Sequence, residues 1–220
     1  MATTGQATVL QTHYASVRGG PVAYLDETYH LQNDGRTRFY VIAAVVVVGL
    51  DRDPLRDELD RLVPSGWWHT TDELRSTTGR ELSRDLLRTL RVPDEACVVV
   101  EKTTVDAEDK DGSLAREAAL RRLLAALNTG TSGTHPPVNL AVLEEQREAR
   151  KNNFDRSVRA RLIRDGLITA RMSMISVSPR VEHLLWLPDL VCSAYRQLSV
   201  HRRSDLFDEI EELAHVIRLP

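Results

Sequence analysis

Two patterns of apolar residues alternate along the chain. Short runs rich in β-branched residues predict strands, and leucines that recur every three or four residues predict amphipathic helices between them. This alternation predicts an α/β (α+β) fold, a mixed sheet flanked by helices. The predicted strands cover residues 22–25, 38–48, 96–105, 138–143 and 172–177, and the predicted helices begin near residues 53, 70, 113, 154, 188 and 204.

Local signals set several boundaries. Four consecutive valines in segment 38–48 do not alternate with polar residues, so this strand is expected to be covered on both faces. Asp53 followed by Pro54 is a typical helix start. Residues 1–20 are small and polar and are expected to form a flexible segment before a single domain over residues 21–220.

Composition excludes several classes of protein. The 220 residues include 29 Lys plus Arg and 32 Asp plus Glu, a net charge of −3, which argues against a passive basic nucleic-acid binder. The longest apolar run, residues 39–50, is shorter than the roughly 20 residues that a membrane span needs, and no signal peptide is visible. We therefore expect a cytoplasmic protein without membrane association. Homo-oligomers are compatible with this composition, and Cys97 and Cys192 are expected to be buried thiols.

Acidic residues follow two of the predicted strands. Asp26 and Glu27 come after the first strand, and Glu144 and Glu145 follow segment 138–143. Asp189 lies in the first turn of an otherwise apolar helix. Carboxylates that converge at strand ends repel one another unless a cation neutralises them, and Mg²⁺ or Mn²⁺ with open positions suits such a cluster.

The same acids also have ordinary structural explanations. Acids at strand ends are common in turns, and Asp189 can serve the positive end of its helix. Successive residues of a strand point to opposite faces, so only one of Asp26 and Glu27 can be a direct ligand unless the strand bends. The pattern does not choose between them, because both faces are apolar.

Basic residues concentrate after the second acidic pair. Segment 147–171 has eight basic residues and three acids, which is what a polyanionic substrate would need, although a solvated helix face has the same composition. Lys102 is a further candidate phosphate contact, or a partner of a neighbouring acid. His69 could act as an acid, a base or a phosphate contact, or could pack on Trp67 and Trp68. The candidate nucleic-acid-binding residues are Lys102, Arg147, Arg150, Lys151, Arg156 and Arg159.

Several motifs together resemble a bacterial family known as domain of unknown function 3800 (DUF3800), whose members are ribonuclease-H-like. The resemblance covers residues 22–197 and depends on the order and spacing of short motifs. Four residues depart from the family's usual ones: Thr28, Tyr29, Glu144 and Pro188. The motifs lie at residues 22–28 (Val-Ala-Tyr-Leu-Asp-Glu-Thr), 39–48, 68–74 (Trp-His-Thr-Thr-Asp-Glu-Leu), 143–145 and 185–191 (Leu-Trp-Leu-Pro-Asp-Leu-Val).

The resemblance implies a metal-dependent nuclease that hydrolyses phosphodiester bonds in RNA or DNA. It places Asp26, Glu144 and Asp189 in the acid cluster as metal ligands, with Glu27 as a further member. Together with His69, these four acids are the candidate catalytic residues. Two alternatives remain: a non-catalytic binding or regulatory protein on the same fold, for example in a defence or toxin-like system, and a phosphatase that acts on a small substrate.

Overall fold

A six-stranded sheet forms the centre of the chain in the computed structural model, which describes residues 2–91, 95–131, 133–146 and 148–220. The strands are β1 (Val22–His30), β2 (Phe39–Val47), β3 (Ala96–Lys102), β4 (Leu140–Glu144), β5 (Ser173–Val177) and β6 (Ala214–Leu219). The helices are α1 (Ala2–Ser16), α2 (Arg52–Leu62), α3 (Thr70–Glu73), α4 (Thr77–Arg88), α5 (Ser113–Thr129), α6 (Ala149–Arg164) and α7 (Trp186–His201).

The strand order is β5-β4-β1-β2-β3-β6. The first three strands form an antiparallel meander, and β4 and β5 continue the sheet parallel to β1. This arrangement confirms the predicted α/β (α+β) class, a mixed sheet flanked by helices. None of the helices in the described part of the chain combines the length and apolar character that a bilayer crossing requires.

Alternate residues of the central strands pack on two different helical layers. Val41, Ala43 and Val45 of β2 join the core beneath α1, α2, α4 and α7, which we call the α7 face. Ile42 and Ala44 join the core beneath α5 and α6, the α5 face. All nine residues of β2 are buried, which confirms that the valine-rich strand is covered on both sides.

The C-terminal segment differs from its prediction. Leu206, Ile210 and Leu213 have helical spacing, yet they lie in and around two short 3₁₀ turns. The chain then forms β6, which pairs in parallel with β3. A six-residue strand is too short for a distinctive periodic signal in the sequence. The edge of β3 provides hydrogen-bond partners for the backbone N–H and C=O groups of β6.

The N-terminal segment also differs, because α1 occupies residues that were expected to be flexible. Leu10 and Tyr14 of α1 are buried in the core of the α7 face. The Tyr14 hydroxyl donates a hydrogen bond to Glu182 Oε2 at 2.5 Å and accepts one from the Tyr24 hydroxyl at 2.8 Å. Arg56 pairs with the same carboxylate at 2.8 Å, so one buried acid joins α1 to β1 and α2.

Tyr14→Phe should lower the free energy of unfolding by about 1–3 kcal/mol, because it removes a hydrogen bond to a buried charged group. Denaturant unfolding measures this change. Tyr29→Phe is the matched control, since the Tyr29 side chain is 48% exposed. Equal effects of the two substitutions would show that the Tyr14 hydroxyl does not anchor α1.

Candidate active site

Asp26 and Glu144 lie side by side on neighbouring parallel strands. Leu25 pairs with Leu143 in the last described pair of the ladder between β1 and β4, so the two acids come next on their strands. Because side chains alternate along a strand, the two acids point to the same face as Tyr24 and Val142, whose side chains pack on the α7 face. Asp26 lies inside β1 rather than after its end, because β1 continues along β2 to His30.

Asp189 reaches the same place from the first turn of α7. This helix packs across β1 and β2, and the thiol of Cys192 donates a hydrogen bond to the backbone oxygen of Asp26 at 3.2 Å. Burial raises the pKa of Asp26 well above its usual range, and the charges of Asp189, Glu27 and Glu144 raise it further. The acids that the sequence predicts to converge are therefore close enough to act on one another.

Thr70 positions Asp189. Burial raises the pKa of Asp189, while hydrogen bonds from the hydroxyl and backbone N–H of Thr70 act in the opposite direction, as do the charges of His69 and Arg196. The Thr70 hydroxyl also accepts a hydrogen bond from Trp68 Nε1 at 2.8 Å, which leaves the hydroxyl hydrogen of Thr70 for the bond to Asp189. Thr70 is the first residue of α3, and His69 is its N-cap residue.

Glu27 faces the opposite side of the sheet from Asp26. Its carboxylate pairs with the guanidinium of Arg116 and accepts a hydrogen bond from Gln146 Nε2 at 3.2 Å. Arg116 also binds both carboxylate oxygens of the buried Asp155, at 2.9 and 2.8 Å, and the Tyr40 hydroxyl at 2.8 Å. Glu27 thus adds negative charge behind Asp26 while its own side chain belongs to a buried ionic network.

His69 lies at the rim of the acid cluster. Its side chain is exposed, and its Nδ1 is 2.9 Å from Asp72 Oδ2. Its charge also acts on Asp189. It does not pack as a buried ring behind the two tryptophans, so it keeps access to solvent and to any molecule near Asp189.

The predicted basic surface lies largely on the other side of the sheet. Val158 and Leu162 of α6 pack into the core of the α5 face. Lys102 points to the same face as Val98 and Val100, because side chains alternate along β3. Its Nζ donates a hydrogen bond to the carbonyl oxygen of Pro220.

Most charges of this surface also have partners. Arg150 and Lys151 lie 3.7 and 3.5 Å from Glu148. Arg156 bonds Asn153, and Arg159 bonds the backbone carbonyl of Met172. Arg147 lies outside the described residues.

Asp189 is the one predicted site residue on the polar face of α7. Asp189, Cys192 and Arg196 follow one another at spacings of three and four, which places them on one face of a helix. Arg196 bonds the Thr28 hydroxyl at 3.4 Å, so this face of the helix lies against β1. The signal in the sequence that could have identified Cys192 and Arg196 is this polar stripe on an otherwise apolar helix.

The donor chemistry of the cluster fits a divalent cation. Asp26 is buried and feels the negative charge of Asp189 and Glu144, and hard oxygen ligands of this kind suit Mg²⁺ or Mn²⁺. Within the described residues, no group of three or more His, Cys, Asp or Glu side chains is close enough to hold an ion in its present conformation. Coordination would therefore require these side chains to move closer together.

Comparisons with known proteins give little further information. No family model matches the sequence, and no curated protein matches it. One solved structure, "Crystal structure of Bst-RNase HIII in complex with Mn2+", aligns with a TM-score of 0.38 and 13% sequence identity. The alignment covers 90% of this chain and 56% of that chain, so the present chain spans about half the length of that protein.

Proposed function

We propose that the chain is a metal-dependent nuclease that hydrolyses phosphodiester bonds in RNA or DNA. The supporting observation is the meeting of Asp26, Glu144 and Asp189 on the α7 face, from two parallel strands and one helix. Their mutual repulsion raises the pKa of Asp26 together with burial. Such a cluster favours a positively charged ligand, and Mg²⁺ or Mn²⁺ is the class that carboxylates bind.

The proposed roles follow from the contacts. Asp26, Glu144 and Asp189 would hold the cation, which when bound supplies water activation and stabilises negative charge on the phosphate. Thr70 holds the carboxylate of Asp189 in place through its hydroxyl and N–H. The exposed imidazole of His69 can donate a proton to a leaving oxygen or contact a phosphate. The resemblance to DUF3800 supports the same assignment.

One observation favours the alternative, a non-catalytic binding or regulatory protein on the same fold. The acids within the described residues are not arranged to hold an ion without rearrangement. A protein that only binds a partner through this surface would need no metal and would tolerate neutral amides at Asp26 and Asp189.

Thermal unfolding with and without millimolar Mg²⁺ or Mn²⁺ tests the proposal. Metal should raise the melting temperature of the wild type, because a ligand at 100 times its dissociation constant stabilises the native state by about 2.7 kcal/mol. Asp26→Asn/Asp189→Asn should lose this rise. Asp57→Asn/Glu211→Gln, which removes two exposed charges elsewhere, should keep it.

Metal binding and catalysis can be separated in the same samples. A wild type that gains no stability from either metal and cleaves no labelled RNA or DNA would support the binding-protein alternative. A rise that persists in Asp26→Asn/Asp189→Asn would place the ion elsewhere in the molecule.

A further inference from the structure

Two adjoining clefts border the C-terminal half of α7. The larger has a volume of about 690 Å³ and lies between α7 and the turn that joins β1 to β2. The smaller has a volume of about 370 Å³ and lies between α7 and the α3–α4 region. Arg196 and His201 line both, so we treat them as one surface, the α7 cleft. Its arginines are Arg36, Arg80, Arg196, Arg202 and Arg203.

The α7 cleft carries an excess of positive charge in a chain of net negative charge, although one of its arginines, Arg36, pairs with Asp34 at 2.7 Å. Glu101 is the one acid among its lining residues within the described chain, and it accepts a hydrogen bond from Tyr195 at 2.7 Å. Asp205 lies within 4 Å of Arg80 and Arg203 and of the neighbouring Arg84, so a single carboxylate faces three guanidinium groups.

Two of the arginines are available for a ligand. Arg196 bonds the neutral hydroxyl of Thr28 at 3.4 Å, and Arg202 is exposed. Neither forms a salt bridge in the part of the chain that the structure describes. Their charges therefore add to the excess of positive charge in the cleft, in contrast to Arg150 and Lys151 of α6, which share Glu148.

The α7 cleft leads directly to the acid cluster. Arg196 lies seven residues after Asp189 on the same helix face, which corresponds to about 10 Å along the axis. It contacts Thr28, two residues beyond Asp26 on the same face of β1. On the other side, Thr71 lines the smaller cleft and follows Thr70, the residue that bonds Asp189.

We propose that the α7 cleft binds the phosphate backbone of the nucleic-acid strand whose phosphodiester bond reaches the acid cluster. This inference rests on the proposed nuclease function, and it makes the α7 cleft, rather than α6, the main substrate surface. Arginine suits the task because its planar fork binds phosphate oxygens in pairs. Contacts of this kind position a strand without reading its sequence. Five arginines spread over two adjoining clefts suit a strand that carries several phosphates rather than a single phosphate group.

Fluorescence anisotropy of a labelled single-stranded oligonucleotide, in EDTA to prevent cleavage, tests this proposal. Arg196→Gln/Arg202→Gln removes the two cleft arginines that form no salt bridge within the described residues, and Arg150→Gln/Arg156→Gln removes two exposed charges of α6 as the matched control. The cleft variant should bind at least about 10-fold more weakly than the wild type. The dependence of its log affinity on log salt concentration should fall by about 0.7 per lost phosphate contact. The control should bind as the wild type does.

Other outcomes would overturn either the cleft assignment or the nuclease function on which it rests. A control variant that loses as much affinity as the cleft variant would return the substrate surface to α6. Wild-type protein that binds inorganic phosphate in the cleft, but not the oligonucleotide, would show a site for a small phosphate. Loss of binding in the cleft variant, without cleavage by the wild type in Mg²⁺ or Mn²⁺, would confirm the cleft and reject the nuclease.

Discussion

Asp26→Asn should lower metal-dependent cleavage of RNA or DNA by at least about 100-fold, the smaller end of what losing one transition-state contact costs in other enzymes. Asp26 is the member of the cluster on which the charges of Asp189, Glu27 and Glu144 all act. An amide keeps its shape but supplies no negative charge to a cation. The measurement is the initial rate of cleavage of a labelled oligonucleotide in saturating Mg²⁺ or Mn²⁺.

The same substitution should stabilise the metal-free protein. Burial and three like charges destabilise the ionised Asp26, so a neutral side chain should raise the free energy of unfolding by about 0.5–2 kcal/mol, as substitutions that relieve strain at functional sites often do. Chemical unfolding in EDTA measures this change. Greater stability together with lost cleavage is not expected from a damaged fold.

Asp57→Asn is the control for both measurements, because Asp57 is exposed on α2, away from the cluster. It should change neither the rate nor the stability. Cleavage at the wild-type rate by Asp26→Asn would remove Asp26 from the catalytic residues. If Asp26→Asn lost both cleavage and stability, only a structural role would remain for Asp26.

Arg116→Met should destabilise the protein by about 3–5 kcal/mol, because removing one partner of a buried ionic network leaves uncompensated charge. Arg116 pairs with Glu27 and with Asp155, whose side chain is 1% exposed. It also donates to the Tyr40 hydroxyl. Methionine retains much of the length of the side chain but neutralises neither acid. Denaturant unfolding at neutral pH measures the loss.

A triple variant separates charge from packing. Arg116→Met/Glu27→Gln/Asp155→Asn removes the two stranded carboxylates with the guanidinium, so it should recover most of the lost stability. A triple variant as unstable as Arg116→Met would show that the guanidinium acts through shape and hydrogen bonds. Arg161→Met is the control, since Arg161 forms a partly exposed pair with Glu117 and should cost less.

The sequence predicted the acids better than it predicted their surroundings. Predicted strand ends and a predicted helix start located the acid pairs 26–27 and 144–145 and Asp189, although β1 continues past Asp26 to His30, and the resemblance to DUF3800 singled out Asp26 and Glu144. The choice between Asp26 and Glu27 could not be made from the pattern alone, because both faces of β1 are apolar. That choice depends on α7 packing on one face and α5 on the other, which is a tertiary property.

The basic surface shows the same limit. Local charge density identified α6, but ion pairs with Glu148 and Glu117 and bonds to backbone carbonyls use much of that charge. The arginines of the α7 cleft come from separate parts of the chain: the β1–β2 turn, α4, α7 and the segment after it. No window of sequence contains them all, so the cleft becomes visible only when these segments fold together.

The pairing of β3 with β6 has a consequence for how the molecule is made. Cys97 lies beside Ala214 in this ladder, so the two strands are separated by most of the second half of the chain. Contacts between distant residues form slowly, because a long loop must close first. During synthesis the hydrogen-bonding edge of β3 stays open until residues 214–219 have emerged. Of the six described strands β6 is therefore the last to be synthesised, and until then the open edge of β3 can pair with another molecule.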